Sequence, residues 1–349
     1  SGVRIIKFHF QNSMEINIVN LQEAFDATGN FRLDPNHYKK TYKELKRKLS
    51  KHSSFALGEI VKVKIATGHT PSMSNQHFYG EKFNFIKTDN VRDLEVFDNY
   101  EHKLSDLGNE KIKRTELKEN DIVMTIIGAS DKVVGRAALI QSKDLPANIN
   151  QNIVLIRLNE QLSPEYVCTY LNSNIGKNLT WHRSRQTEQV NLNCGEVEQI
   201  RVPILSNEIQ NTVTNNFFKA KEKLKEAKIA LEKAKSIIIK ESNFVDWDPK
   251  TPKSFSVPYS SNFHRLDAEY YQPKYKDLVQ KIKSNKKGWA CLKDLVKISK
   301  GQEVGSDLYT DNGIPFTRVS NVSERRLSKE KYIDHSIYKD YIKLQPKKQ

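Results

Sequence analysis

FRLDPNHYKKTYKEL at residues 31–45 returns as HRLDAEYYQPKYKDL at residues 264–278. Arg32-Leu33-Asp34 becomes Arg265-Leu266-Asp267, and Tyr38, Tyr42 and Leu45 meet Tyr271, Tyr275 and Leu278. Two further blocks follow in the same order. Leu57-Gly58-Glu59-Ile60-Val61-Lys62 pairs with Leu292-Lys293-Asp294-Leu295-Val296-Lys297. Phe85-Ile86-Lys87 through Asn90-Val91 pairs with Phe316-Thr317-Arg318 through Asn321-Val322. One tripeptide match is chance; three ordered blocks are a repeat. Its period is that of a domain plus a connector, too long for a solenoid. The chain therefore begins one domain twice, and the second copy stops near its middle.

Working outward from the repeat, short β-type runs dominate the first copy: Glu59–Ile65, Phe83–Lys87, Asp121–Ile127, Val133–Ile140 and Asn152–Leu158. Each is rich in Val, Ile or Phe and bounded by turn-forming or charged residues. Ser163-Pro164-Glu165 supplies an N-cap with proline at the first helical position, and the predicted helix carries Tyr166, Val167, Tyr170 and Leu171 on one face. Sheet first and helices later is an α+β pattern. From Glu208 the texture changes. Val213, Phe217, Ala220, Leu224, Ala227, Leu231, Ala234 and Ile238 keep the 4-3 spacing of a coiled-coil seam, without Gly or Pro before Glu241. Such a helix is poorly stable alone, because its apolar stripe needs a partner. The proline- and serine-rich stretch 242–263 is a linker. The expected organisation is an N-terminal segment 1–50 leading into the first copy, a domain at 51–207, a helix at 208–241, a linker at 242–263, and a truncated second domain at 264–349.

The chain has 349 residues, and 57 Lys and Arg against 42 Asp and Glu give a formal charge of +15. That excess favours a polyanion, nucleic acid first and an anionic membrane surface second. Cys168, Cys194 and Cys291 are far apart and form no C-x-x-C pair, which fits a reducing cytosol. No apolar run approaches the roughly 18 residues of a spanning helix. The opening Ser1-Gly2-Val3-Arg4 does not read as a secretory signal and is expected to be an added scar or the start of a fragment.

Catalytic motifs are missing from the sequence. It contains no Asn/Asp-Pro-Pro-aromatic motif of adenine methyltransferases, no P-loop, no HExxH and no G-x-G-x-x-G. Asp98 followed by Glu101-His102-Lys103 is the nearest approach to a nuclease cluster, and a chain this rich in Lys and Glu makes such a run by chance. None of the nine histidines has metal-ligand spacing on a convincing helix; His77 and His182 read as surface residues. Gly68-His69-Thr70-Pro71 reads as a tight turn in which glycine permits positive φ. Trp181-His182-Arg183-Ser184-Arg185-Gln186-Thr187 groups two arginines, a glutamine and an aromatic. That mix suits phosphate and base-edge contact; a solvated loop is the alternative.

Taken together, the GHTP segment at 68–71, FNFIKTDNV at 83–91, KENDIVMTIIG at 118–128, VVGRAALI at 133–140, NINQNIVLIRL at 148–158, SPEYVCTYLNS at 163–173 and VPILSNEIQNTV at 202–213 resemble the specificity subunit of Type I restriction–modification enzymes. RLDAEYYQPKY at 265–275 resembles the start of a recognition half. The resemblance runs from about Arg32 to the end. It implies β-rich target-recognition domains with small helices, separated by long helices, each reading one half of a split site in double-stranded DNA. It also implies docking of methyltransferase (modification) subunits, contact with a restriction subunit through the complex, and a cytoplasmic location. The recognition chain itself would hold no catalytic residue and no cofactor. S-adenosylmethionine, ATP and Mg are expected in the partner subunits. A rigid helix suits the family's need for fixed half-site spacing.

The chain departs from the family where the second copy loses the counterparts of residues after about 115, and with them the second long helix. Either the chain is a fragment, or the gene is truncated, or a partner chain supplies the mate of the 208–241 helix; in the last case a head-to-tail homodimer would regenerate two reading heads. Candidates for DNA contact are Lys87, Asn90, Arg92, Arg136, Arg183, Arg185 and Gln186, and those for partner docking are Leu224, Leu231 and Ile238. Two other readings compete: the recognition portion of a fused restriction–methyltransferase polypeptide, which an upstream methyltransferase motif in frame would reveal, and a coiled-coil adaptor that binds no DNA.

Overall fold

A computed structural model describes residues 5–10, 13–20, 35–130, 132–185, 190–249, 251–258, 265, 267–298, 300–301, 303–322 and 331–340. The chain divides into two compact units, Ser1–Ile229 and Ala230–Gln349. The architecture is α+β.

In the first unit an antiparallel hairpin, β1 (Ile5–Phe10) and β2 (Ser13–Asn20), precedes helix α1 (Lys40–Leu49). The strands that follow are β3 (Ser54–Ala56), β4 (Ala66–Thr67), β5 (Tyr79–Gly80), β6 (Phe83–Ile86) and β7 (Lys103–Leu104). After helix α2 (Asp106–Lys111) come β8 (Ile122–Thr125), β9 (Ile127–Gly128), β10 (Ala137–Leu139), β11 (Ala147–Ile149) and β12 (Ile153–Ile156). Helices α3 (Pro164–Asn172) and α4 (Asn174–Arg183), strand β13 (Val190–Asn191), helix α5 (Cys194–Glu198) and strand β14 (Arg201–Pro203) complete it. Helix α6 (Asn207–Glu241) follows.

The central sheet has the order β10-β8-β12-β4 and is antiparallel throughout. Its side chains sort by the two-residue period of a strand. Ile122 and Met124, Val154 and Ile156, and Ala137 and Leu139 enter one core with Tyr166, Val167, Leu171, Leu179 and Phe217. Val123, Ile153, Leu155 and Ala138 enter a second core with Ile86, Val91, Val96 and Ile149. Both faces are covered, which is why these strands read as continuous apolar runs. A second sheet, β11-β6-β7-β5, contains the parallel pair β11–β6.

The serine–proline start of α3 forms as the sequence predicts, with Ser163 Oγ accepting from the Tyr166 N–H at 3.2 Å. Tyr166, Val167, Tyr170 and Leu171 are all buried. Other expectations fail. The run Glu59–Ile65 is not a strand. Leu57–Glu59 is a 3-10 turn, because Glu59 turns back to accept from the Ala56 N–H, and only Val61 makes a bridge, to Leu158. The Val133–Ile140 strand is confined to Ala137–Leu139, with Gly135 at φ 87° turning the chain beforehand. Gly68 does not occupy the left-handed region. It is glycine because a Cβ there would stand 1.9 Å from the Ile149 carbonyl oxygen. Close backbone approach, not turn conformation, fixes it.

Several elements of the second unit match elements of the first in order. Helix α7 (Pro273–Lys283) and the 3-10 turn Ala268–Tyr271 correspond to α1 and the turn Pro35–Tyr38. Helix α8 (Leu292–Leu295) corresponds to the turn Leu57–Glu59. Strands β15 (Tyr309–Thr310), β16 (Ile314–Pro315) and β17 (Tyr332–Ile333) stand in the order β15-β17-β16, matching β5-β7-β6, and helix α9 (His335–Asp340) corresponds to α2. Among the described residues, the counterparts of β8 to β14 are absent from this unit. Leu57 and Ile60 are 0% exposed, and Leu292 and Leu295 at the matching positions are 63% and 68% exposed.

Candidate nucleic-acid interface

Three segments of the first unit meet around Arg136: the loop after β6, the β9–β10 connection and helix α4. The loop is tied by Asn90. Its Oδ1 accepts from the Lys87 N–H at 2.8 Å, and its Nδ2 donates to the Phe97 and Asn99 carbonyls at 3.2 and 3.3 Å. Asn321 repeats the first of these bonds on the Arg318 N–H at 2.8 Å, so the knot belongs to the repeated unit. Asn90 is buried. It shapes the loop and presents nothing outward, which corrects its place among the contact candidates. An asparagine one turn after a strand signals capping as readily as base contact.

The knot sets out residues 91–98. Val91 bridges Val96, the Arg92 N–H donates to the Glu95 carbonyl at 3.0 Å, and the Leu94 N–H donates to the Ala137 carbonyl at 2.8 Å. Leu94 takes a left-handed conformation, φ 71°, which is uncommon outside glycine and asparagine. The Ala137 bond places this loop on β10, next to Arg136. Arg136 is half-buried, and burial pushes its guanidinium below the ordinary arginine value. The exposed Arg92 guanidinium pushes the same way, while Asp93 and Asp89 oppose it. Asp93 is in turn engaged by Lys177 of α4 at 2.7 Å. The Leu94–Ala137 bond thus brings the loop that carries Arg92 against the strand that follows Arg136, where burial and the Arg92 charge both disfavour the Arg136 cation.

The other candidates lie elsewhere. Lys87 pairs with Glu101 at 2.7 Å. Asp98 and Glu101 therefore face lysines, Lys228 and Lys87, and not each other. Arg183, in the last turn of α4, donates to Gln199 of the segment after α5 and lines a cavity of about 700 Å³ with Lys46, His52 and Arg201. Arg185 pairs with Glu196 of α5 at 3.2 Å. Gln186 lies outside the described residues. His182, expected at the surface, is buried. Its ring stacks on His37 at 4.0 Å, and its carbonyl accepts from His37 Nδ1 at 2.9 Å. A stacked pair needs two distant segments, so neither spacing nor composition announces it.

Helix α6 is about 50 Å long at 1.5 Å per residue. Phe217 is 4% exposed and, with Val213, packs into the first core. Beyond it the seam opens: Leu224, Leu231 and Ile238 are 45%, 42% and 66% exposed. The three docking candidates are each accessible, as are Phe218, Ile229, Ile237 and Ile239 off the seam. Among the described residues no helix is long and apolar enough to cross a membrane.

The family described as Type I restriction modification DNA specificity domain matches residues 50–240, more than half of the chain. No curated protein matches it. Among solved structures, a chain from a study of complex assembly and conformational transition of the type I R-M system is similar over 58% of this chain and 49% of that one, at 14% identity and TM-score 0.37. The Type-I restriction-modification system S subunit from M. genitalium is similar over 55% of this chain and 44% of that one, at 12% identity and TM-score 0.41. The HsdS subunit from Thermoanaerobacter tengcongensis is similar over 80% and 64%, at 14% identity and TM-score 0.35. The chain spans about half the length of the first two.

Proposed function

The chain belongs to the Type I restriction modification DNA specificity domain family, and from that premise we propose that its first unit reads one half of a bipartite double-stranded DNA site for a restriction–modification complex. The observation that carries this is the Leu94–Ala137 hydrogen bond at 2.8 Å, which sets the loop bearing the exposed Arg92 against the strand that follows the half-buried Arg136, in a chain whose net charge is +15. The role is non-catalytic: the chain places the site, and the methyltransferase subunits bind S-adenosylmethionine and modify adenine. ATP and Mg serve the restriction subunit. Separate chemistry suits the problem, since a base to be methylated is first flipped into a pocket of its own. The work is done in the cytoplasm, where the genome is.

Binding of a DNA duplex weakens with salt in proportion to the phosphates neutralised. The Arg92→Ala/Arg136→Ala double variant is expected to bind about a hundredfold more weakly and to lose about 2 from the slope of log affinity against log salt. Fluorescence anisotropy across a salt series measures both. An unchanged slope would remove this pair from the interface. Methylome sequencing of cells carrying the gene and its methyltransferase partner tests the whole reading, and a two-part adenine-methylated motif is the expected result.

The open stripe of α6 serves as spacer and docking surface for methyltransferase subunits, and a second copy of the chain can pair along it to bring two reading heads together. Leu231→Glu puts a charge into that stripe while leaving the Phe217 contact alone. It is expected to abolish co-elution with the methyltransferase subunit and to leave the melting temperature of the free chain unchanged; retained co-elution would assign docking to another surface.

A further inference from the structure

The end of the central sheet that carries Arg136 has an opposite edge. In the order β10-β8-β12-β4, the start of β10, the end of β8, the start of β12 and the end of β4 lie in one row. Backbone bonds mark the row. The Gly135 N–H donates to the Thr125 carbonyl at 2.8 Å, the Ile126 N–H to the Asn152 carbonyl at 2.9 Å, and the Gly68 N–H to the Ile153 carbonyl at 3.3 Å. Three strand spacings separate its edges, about 14 Å at about 4.8 Å each. That is close to the roughly 12 Å width of a DNA major groove.

At the far edge three segments converge on the turn after β4. The Thr70 hydroxyl donates to Gln151 Oε1, and Arg114 Nη2 donates to the Thr67 carbonyl at 3.4 Å. The backbone beneath both side chains is fixed. Thr115, next to Arg114, donates to Asn148 Oδ1 at 2.8 Å. Asn148 is fully buried and donates in turn to Asn109 Oδ1 at 2.8 Å and to the Ile112 carbonyl at 3.1 Å. Gly68 lies against the Ile149 and Asn150 carbonyls, where no side chain fits. Arg114 and Gln151 themselves are exposed. Arg114 has no acidic partner among the described residues, unlike Lys87 and Arg185. Gln151 has its amide oxygen on Thr70, and its Nε2 donates to no other described residue. Both side chains therefore offer donors, and a guanidinium accepts nothing. An edge made of donors suits a group made of acceptors, such as a phosphodiester.

We propose that Arg114 and Gln151 clamp a backbone phosphate of the DNA duplex, so that the sheet end is gripped at both edges, by Arg136 at one and by this corner at the other. Such a contact fixes register and carries no sequence information. The proposal rests on the function proposed above and extends its interface to a second place.

Fluorescence anisotropy of the full chain with mixed-sequence duplexes across a salt series tests it. Arg114→Ala is expected to lose about 1 from the slope of log affinity against log salt, and Arg114→Lys to keep the slope. Lys62→Ala removes the same charge at the opposite end of β12, where the Lys62 N–H meets the Arg157 carbonyl at 2.7 Å, and is expected to leave the slope unchanged. Gln151→Ala removes a neutral donor. It is expected to weaken binding about tenfold with the slope kept, by the same factor for duplexes of different sequence. An unchanged slope in Arg114→Ala, or an equal loss in Lys62→Ala, overturns the clamp. A Gln151→Ala effect confined to certain sequences also overturns it and makes Gln151 a base reader. If the unmodified chain binds no duplex, the functional reading fails. If it binds and the Arg114 and Gln151 variants bind as well, the clamp alone fails.

Discussion

Asp121→Ala destabilises the first unit by about 3–5 kcal/mol, the cost of removing one partner from a buried ion pair. Asp121 is 1% exposed. Its two oxygens accept from Arg157 Nε and Nη2, both at 2.7 Å, and one also accepts from the Lys118 N–H at 2.6 Å. Arg157 donates further to the Glu116 carbonyl at 3.0 Å. The carboxylate's hydrogen bond holds the guanidinium above its ordinary value. The alanine variant leaves a largely buried cation without its counter-charge and a backbone donor without its acceptor. Because Asp121 leads into β8 and Arg157 follows β12, the damage falls on the central sheet. Hydrogen exchange of residues 122–125 and 153–156 measures it, and an unchanged protection would show that the sheet does not depend on this pair. Asp121→Leu combined with Arg157→Met should recover most of the loss, since a well-packed apolar replacement of a buried pair is often neutral.

Phe217→Ala has a comparable cost, about 3–5 kcal/mol for emptying a buried aromatic site, but it falls on one joint. Phe217 is the buried residue of α6, and its neighbours there are Val213 and Thr214, the latter sharing a hydrogen bond with Ser163 at 3.1 Å. Removing the ring frees the start of the helix from α3. Exchange of residues 207–221 and 163–171 is expected to rise together. Leu224→Ala and Leu231→Ala serve as contrast. Both are exposed, and each is expected to change the stability of the free chain by less than about 0.5 kcal/mol. A Phe217→Ala chain as stable as these would mean that the helix is not anchored there.

The same joint shows how far the sequence could be read. The 4-3 spacing from Val213 to Ile238 identifies one continuous helix, and the helix is continuous from Asn207 to Glu241. Spacing treats Phe217 and Leu231 alike, however. That one is anchored and the other open depends on which part of the helix meets α3, a fact of the tertiary arrangement. Residues 59–65 show the opposite limit. Their composition favours a strand, yet Glu59 captures a backbone donor and makes a 3-10 turn. A local side-chain bond wins there because the central sheet leaves the segment only a single bridge.

The contact candidates divide in the same way. Arginines are legible as arginines, and the charge of +15 makes a polyanionic partner legible too. What the sequence cannot rank is which guanidiniums are already engaged. Arg185 is engaged by Glu196, and Arg183 by Gln199. Asn90 is spent on the loop's own backbone. Arg92 and Arg136 are 44 positions apart in the chain, and the loop of one meets the strand after the other through the Leu94–Ala137 bond.

By itself the sequence determined three ordered repeat blocks, an α+β pattern and a long seam-bearing helix, because repeats and periodicities are properties of neighbours along the chain. The tertiary structure alone decided that Gly68 serves close approach, that His182 is a core residue, that Phe217 is anchored while Leu231 is open, and that the loop of Arg92 meets the strand after Arg136. Each of these depends on what lies across space from a residue, and burial and pairing are set there.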